Sequence, residues 1–103
     1  MALKKCARYL TQQEMAGQLR LPEEAKKPSP ENIKNLLRGD YLKVGVITHG
    51  TKEIFWAKFV MTEGDNLVGR ISNDLHYSAL HGLFDEELIT FPKDRLLAIM
   101  DNH

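Results

Sequence analysis

The sequence has a single cysteine, Cys6, so no intramolecular disulfide is open to it. It has no long hydrophobic run: nothing approaches the roughly 18 apolar residues that span a bilayer. The opening Met-Ala-Leu-Lys-Lys-Cys is charged and has no apolar stretch after it, so neither a secretion signal nor a membrane anchor is expected. A reducing cytoplasm is the expected compartment. Neither charge is in excess, with 14 Lys and Arg against 14 Asp and Glu. That balance speaks against nucleic acid as a partner, because binding it needs a basic face that displaces counterions. The glycines never gather into a phosphate-cradling loop ahead of a helix, so no nucleotide motif is present.

What is there is uneven along the chain. Residues 1–39 carry eight Lys and Arg against four Asp and Glu, and residues 40–103 carry six against ten. The 103 residues are one domain's worth, enough to bury roughly 60 to 70% of the surface of the unfolded chain. The expected layout is a single domain over 1–103, with a helical N-terminal part over 1–38, a Pro-rich linker at 22–30 and a β-rich part over 39–103.

The organising stretch is 54–62, Ile-Phe-Trp-Ala-Lys-Phe-Val-Met-Thr, which holds the only tryptophan. On an extended strand Phe55, Ala57, Phe59 and Met61 share one side, and all four are apolar, so that side faces a core. Leu42, Val44, Val46, Leu67, Ile71, Ile89 and Phe91 are its expected companions. The other side, with Ile54, Trp56, Lys58, Val60 and Thr62, is too apolar to stand wholly in water and too mixed for a deep interior.

Ahead of this, Thr11 and Glu14 make a capping box, with Leu10 and Met15 placed as a hydrophobic staple. The expected helix presents Met15 and Leu19 one turn apart and stops before Pro22. Ser29, Pro30 and Glu31 then read as a second helix start, Gly39 as its end, and Ile33, Leu36 and Leu37 as its apolar stripe. That stripe needs a partner surface, and the Trp56 side of the sheet is one candidate for it. Beyond residue 40 the expected strands are separated by turns at His49-Gly50-Thr51-Lys52 and Glu63-Gly64-Asp65-Asn66. An irregular stretch over 73–86 includes a helical turn capped by Asp74 and stopped at Gly82, with Leu83 and Phe84 docking back on the core.

Gly39-Asp40-Tyr41-Leu42-Lys43-Val44, Glu53-Ile54-Phe55-Trp56-Ala57, Gly69-Arg70-Ile71-Ser72-Asn73-Asp74 and Leu88-Ile89-Thr90-Phe91 resemble, in order and spacing, the bacterial domain-of-unknown-function family numbered twenty-three-fourteen. Cys6-Ala7-Arg8-Tyr9-Leu10 is similar to its N-terminal segment. The chain departs from the family pattern at Leu75, where proline is common, and at Glu86-Glu87, where a Gly-Asp turn is common. The resemblance implies a small β-rich bacterial domain and carries over no catalytic residue.

The chemistry-bearing residues are few. His49, His76 and His81 invite a metal, but His76 and His81 are five apart and not the three or four that puts ligands on one helix face, so no metal or other cofactor is expected. Ser72, Ser78 and Cys6 lie in no nucleophile motif, although Lys4, Lys5 and Arg8 surround the thiol. Trp56 either lies under the N-terminal helices or anchors a groove with Tyr41 from the neighbouring strand. The expected fold is α+β: a strongly curved antiparallel sheet of about five strands, an SH3-like partly open barrel, with two short helices packed on it. The expected function is a non-catalytic module that binds a protein or itself, with peptide addition at a strand edge as its mode. A small ligand-binding domain or enzyme using residues 73–84 through His76, Tyr77 and His81 is the alternative, and a nucleic-acid-binding small barrel the third.

Overall fold

The computed structural model describes residues 3, 6–17, 21–73 and 75–102; the roles expected of Lys4, Lys5, Leu19 and Asp74 fall outside them. The elements, in chain order, are β1 (Ala7–Tyr9), α1 (Pro30–Lys34), β2 (Tyr41–Thr48), β3 (Thr51–Glu63), β4 (Asn66–Ile71), α2 (Ser78–His81), β5 (Leu88–Pro92), a 3-10 turn (Lys93–Arg95) and β6 (Ala98–Met100). The strands form one strongly curved antiparallel sheet in the order β1-β2-β3-β4-β5. β6 joins it on β2, which pairs β1 through residues 46–48 and β6 through residues 41–43 along the same edge. Strand is the dominant structure and the helices are short, so only the sheet half of the α+β expectation is substantial.

Two tight turns set the register. Thr48 pairs Thr51 across His49 (φ 48°) and Gly50 (φ 78°), two positive angles in succession that match the twist of a hairpin. Glu63 pairs Asn66 across Gly64 and Asp65. Alternation then sends Leu42, Val44, Val46, Phe55, Ala57, Phe59, Leu67, Ile71, Ile89 and Phe91 inward, each at most 7% exposed. Gly69 eases the close packing of β3 on β4, since a Cβ there would lie 3.2 Å from both the Ala57 Cβ and the Lys58 carbonyl oxygen, and these would have to give by a few tenths of an ångström.

Met61 breaks the expectation. The register shifts between Phe59, opposite Gly69, and Met61, opposite Val68. One extra residue, Val60, reverses the phase of the strand end, and Met61 turns out to solvent.

The N-terminal part also differs from the two-helix expectation. The capping box forms, with the Thr11 N–H donating to Glu14 Oε1 (2.9 Å) and the Glu14 N–H to Thr11 Oγ1 (3.1 Å). Over 12–17, however, it closes only turns, with bonds from the Met15 N–H to the Gln12 carbonyl and from Ala16 to Gln13 before Gly17 takes φ 76°. A segment this short does not sustain a helix unaided. α1 stops at Lys34, short of Gly39, because the Asp40 carboxylate captures the Leu37 N–H (2.9 Å) while the Gly39 N–H and Asp40 carbonyl already pair with Phe59.

These segments cap the sheet in places the sequence did not indicate. Ile33 and Leu36 pack on the interior cluster, whereas Leu37 is exposed. The outer face is covered instead by Leu10, Met15 and Leu97, which pack on Ile47 and Ile54. Gly45 makes room for that cover, since a Cβ there would meet Ile54 Cδ1 at 2.6 Å and Leu10 Cδ1 at 2.7 Å. The far seam is plugged by Tyr9, whose ring lies 5.8 Å from that of Phe91. Burial, with the Glu87 charge added, pushes the Tyr9 hydroxyl up to about 12.

Candidate functional site

Since the Leu10 cover stops at Ile47 and Ile54, the outer face of β2 and β3 is only partly covered over their other half. There Tyr41 lies opposite Lys58, and Lys43 opposite Trp56. The cross-strand pairs make a small checkerboard of two aromatic rings and two ammonium groups. The Tyr41 and Trp56 rings meet edge to face, 6.2 Å between centroids at 71°. Lys43 Nζ sits 4.5 Å above the Trp56 ring, and Lys58 Nζ 5.9 Å from the centre of Tyr41. Partial burial lowers the Lys43 pKa. Arg70, opposite Lys58 on β4, extends the row and donates from Nη1 to the Glu86 carbonyl (2.7 Å). Among the described residues, none of Lys43, Lys58 and Arg70 is in an ion pair with a carboxylate. The Trp56 backbone is fixed by loop residues: its N–H donates to Asn73 Oδ1 (3.0 Å), and its carbonyl accepts from the Ser72 N–H (3.0 Å).

The five residues singled out in the sequence therefore separate. Tyr41 and Trp56 come together, and Trp56 is partly exposed, not lying under α1. His76 and Tyr77 are exposed, with rings 6.5 Å apart, at the end of the sheet where β3 begins. His81 is 1% exposed, so it does not stand with His76 and Tyr77 on the surface of the 73–84 stretch.

The reason is Glu53, which shares the inward face of β3 with Phe55. Its carboxylate accepts from the His76 N–H (2.5 Å), the Tyr77 N–H (2.9 Å) and His81 Nε2 (2.8 Å). Burial alone raises the Glu53 pKa, but the His76, His81 and Tyr77 bonds outweigh it and hold the group below its ordinary value. The other ring nitrogen, His81 Nδ1, accepts the Leu83 N–H (3.1 Å), which assigns the ring as neutral with its proton on Nε2. A carboxylate beside an imidazole suggests acid-base chemistry. Here both ring nitrogens are occupied within the fold, so the pair works as a lock that pins residues 76–83 to the start of β3.

Sequence reasoning missed Glu53, Lys43, Lys58 and Arg70. Glu53 carried a usable signal, because period two places it in phase with Phe55 and Ala57, and an inward carboxylate demands donors. Among the described residues no three His, Cys, Asp or Glu side chains gather as metal ligands do, and no helix is long and apolar enough to cross a membrane. Cys6 is exposed, and Arg8 beside it is engaged by Glu14 at 2.6 Å. No protein-family model matches the chain, and neither does any curated protein or solved structure.

Proposed function

We propose that the chain is a non-catalytic, cytoplasmic protein-binding module on an SH3-like barrel, and that the Tyr41–Trp56 face is its recognition surface. The barrel reading is supported by the order of five strands, the 3-10 turn between β5 and β6, and the return of β6 to β2. A fold of this kind hosts many functions, so the binding claim rests on the site. The observation that carries it is the pairing of two partly exposed aromatic rings with Lys43, Lys58 and Arg70, three cations that pair with no carboxylate among the described residues. Such a face fits an acidic protein segment: the rings supply area at low entropy cost, and the cations supply attraction and orientation. A second copy is a poor occupant, because two basic faces repel.

The nucleic-acid reading gains from the same cations and rings, since bases stack on aromatic side chains beside a basic groove. The zero net charge and the acidic β-rich part weigh against it.

Trp56, the only tryptophan, is the natural reporter. Titration with a synthetic peptide of alternating glutamate and valine, and separately with oligothymidylate, should shift Trp56 emission for the peptide alone. Lys43→Glu combined with Lys58→Glu should weaken that binding about tenfold, and added salt should weaken it further. A shift with the oligonucleotide alone would move the case to nucleic acid, and a peptide shift that survives both substitutions would remove this face from the argument.

A further inference from the structure

The bulge in β3 has a second product. On a regularly alternating strand Met61 would follow Phe59 into the interior. With Val60 inserted it points out, 48% exposed. An unbranched thioether readily fills irregular interior space, so turning it outward leaves that space open. A groove of about 630 Å³ lies there, between α1 and the 3-10 turn. Pro28, Pro30, Ile33 and Leu36 form one wall, and Phe59 lies at the base, almost fully buried. The size is that of a small-molecule site, and bulges recur beside such sites. The two prolines fix the backbone of the wall, so little ordering remains to oppose binding.

We propose that this groove binds a small apolar carboxylate, a single acyl or arylalkyl chain with one anionic head. The walls are mostly apolar, with Gln12 and Thr62 as neutral polar groups on the lining, and cations stand on it from two sides: Lys34 at the end of α1 and Lys93 at the start of the 3-10 turn. Neither is in an ion pair among the described residues. The lining also contains the carboxylate of Asp94, which is held by Arg95 Nη1 at 2.8 Å, so positive charge remains in excess where a head group would lie. A neutral apolar molecule would fill the groove and gain nothing from the lysines, whereas a carboxylate gains charge-assisted hydrogen bonds from both. The site is separate from the Tyr41–Trp56 face, which stands on the opposite side of β3, so either proposal survives failure of the other.

The test titrates the full chain with decanoate, below the concentration at which it forms micelles, and in parallel with decan-1-ol. Amide shifts and calorimetry report the two titrations. Decanoate should move the resonances of Ile33, Leu36, Phe59 and Lys93, leave Trp56 in place, and bind about tenfold more tightly than the alcohol. Lys34→Glu with Lys93→Glu should remove that tenfold preference and leave the alcohol's affinity unchanged. Leu36→Trp, which fills the groove, should abolish both; because it perturbs packing, the two lysine substitutions are the deciding pair. Equal affinity for acid and alcohol overturns the proposal. So do shifts confined to Trp56 and Tyr41, or sedimentation showing a dimer that covers Ile33 and Leu36.

Discussion

The two ends of β3 are closed by opposite means. At its start one carboxylate, Glu53, accepts three donors and seals residues 76–83 beneath the sheet. Toward its far end, about 20 Å along the strand at 3.3 Å per residue, Ile33 and Leu36 pack by apolar contact and leave a groove beside Phe59. The polar end is directional and complete, since a carboxylate with unfilled sites would be unfavourable in the interior. The apolar end tolerates a gap, because contacts without direction fail gradually. A closed end suits stability, and a gapped one leaves room for a ligand.

The comparison breaks most sharply at Glu53. Glu53→Ala leaves the buried His81 and two part-buried backbone N–H groups without their acceptor, so a loss of roughly 3 to 5 kcal/mol is expected, a large share of the roughly 5 to 15 typical of a domain. Urea denaturation measures it, and a loss below about 1 kcal/mol would mean that residues 76–83 are held by something other than this lock. At the gapped end, Phe59→Ala should cost about 2 to 3 kcal/mol, less than the about 3 to 5 expected of Phe55→Ala in the sealed interior, because it widens an existing space. Equal losses would show the groove to be no softer than the core.

Acid sharpens the same contrast. The folded-state pKa of Glu53 is depressed, so its contribution is fully present above the ordinary carboxyl value of 4.5 and is lost as pH falls through the folded value. Stability should therefore decline below about pH 4.5, and Glu53→Gln should flatten that decline. Glu14 titrates in the same window, lowered to about 2 chiefly by its bond with Arg8. Its pair with Arg8 lies at the surface, so added salt should suppress its share more than that of the buried Glu53. A decline unchanged in Glu53→Gln would assign the acid sensitivity elsewhere.

The strands of the β-rich part were legible because alternation survives in 41–48, 53–59 and 88–92, and because His49-Gly50 and Gly64-Asp65 announce their turns. The pairing of Tyr41 with Trp56 followed from the same pattern. The bulge was not legible, since an inserted Val60 leaves no mark in composition and Met61 is as apolar as an interior residue would be. The Thr11 and Glu14 box was read correctly as chemistry and wrongly as a helix, because the same two bonds close an isolated turn. β1 went unread, as three residues are too few to show a period. The burial of His81 depends on a contact with Glu53, 28 positions away, which no local pattern contains.

A smaller effect on stability is expected where the effect on binding is largest. Trp56 is partly exposed, and its contacts include one edge-to-face ring and one ammonium group. Each contributes about 0.5 to 1 kcal/mol at such a site, on top of the partial area the indole buries, so Trp56→Ala should cost about 2 to 3 kcal/mol, below Glu53→Ala. The backbone bonds to Ser72 and Asn73 do not depend on the indole, so residues 72–73 should stay docked and the His81 lock should be untouched. Tyr41→Ala should behave alike. If both variants stay folded yet lose the peptide response, the rings serve recognition. If instead Trp56→Ala unfolds the chain as readily as Glu53→Ala, the outer face is part of the structural core, and the division between a stabilising interior and a binding exterior does not hold for this sheet.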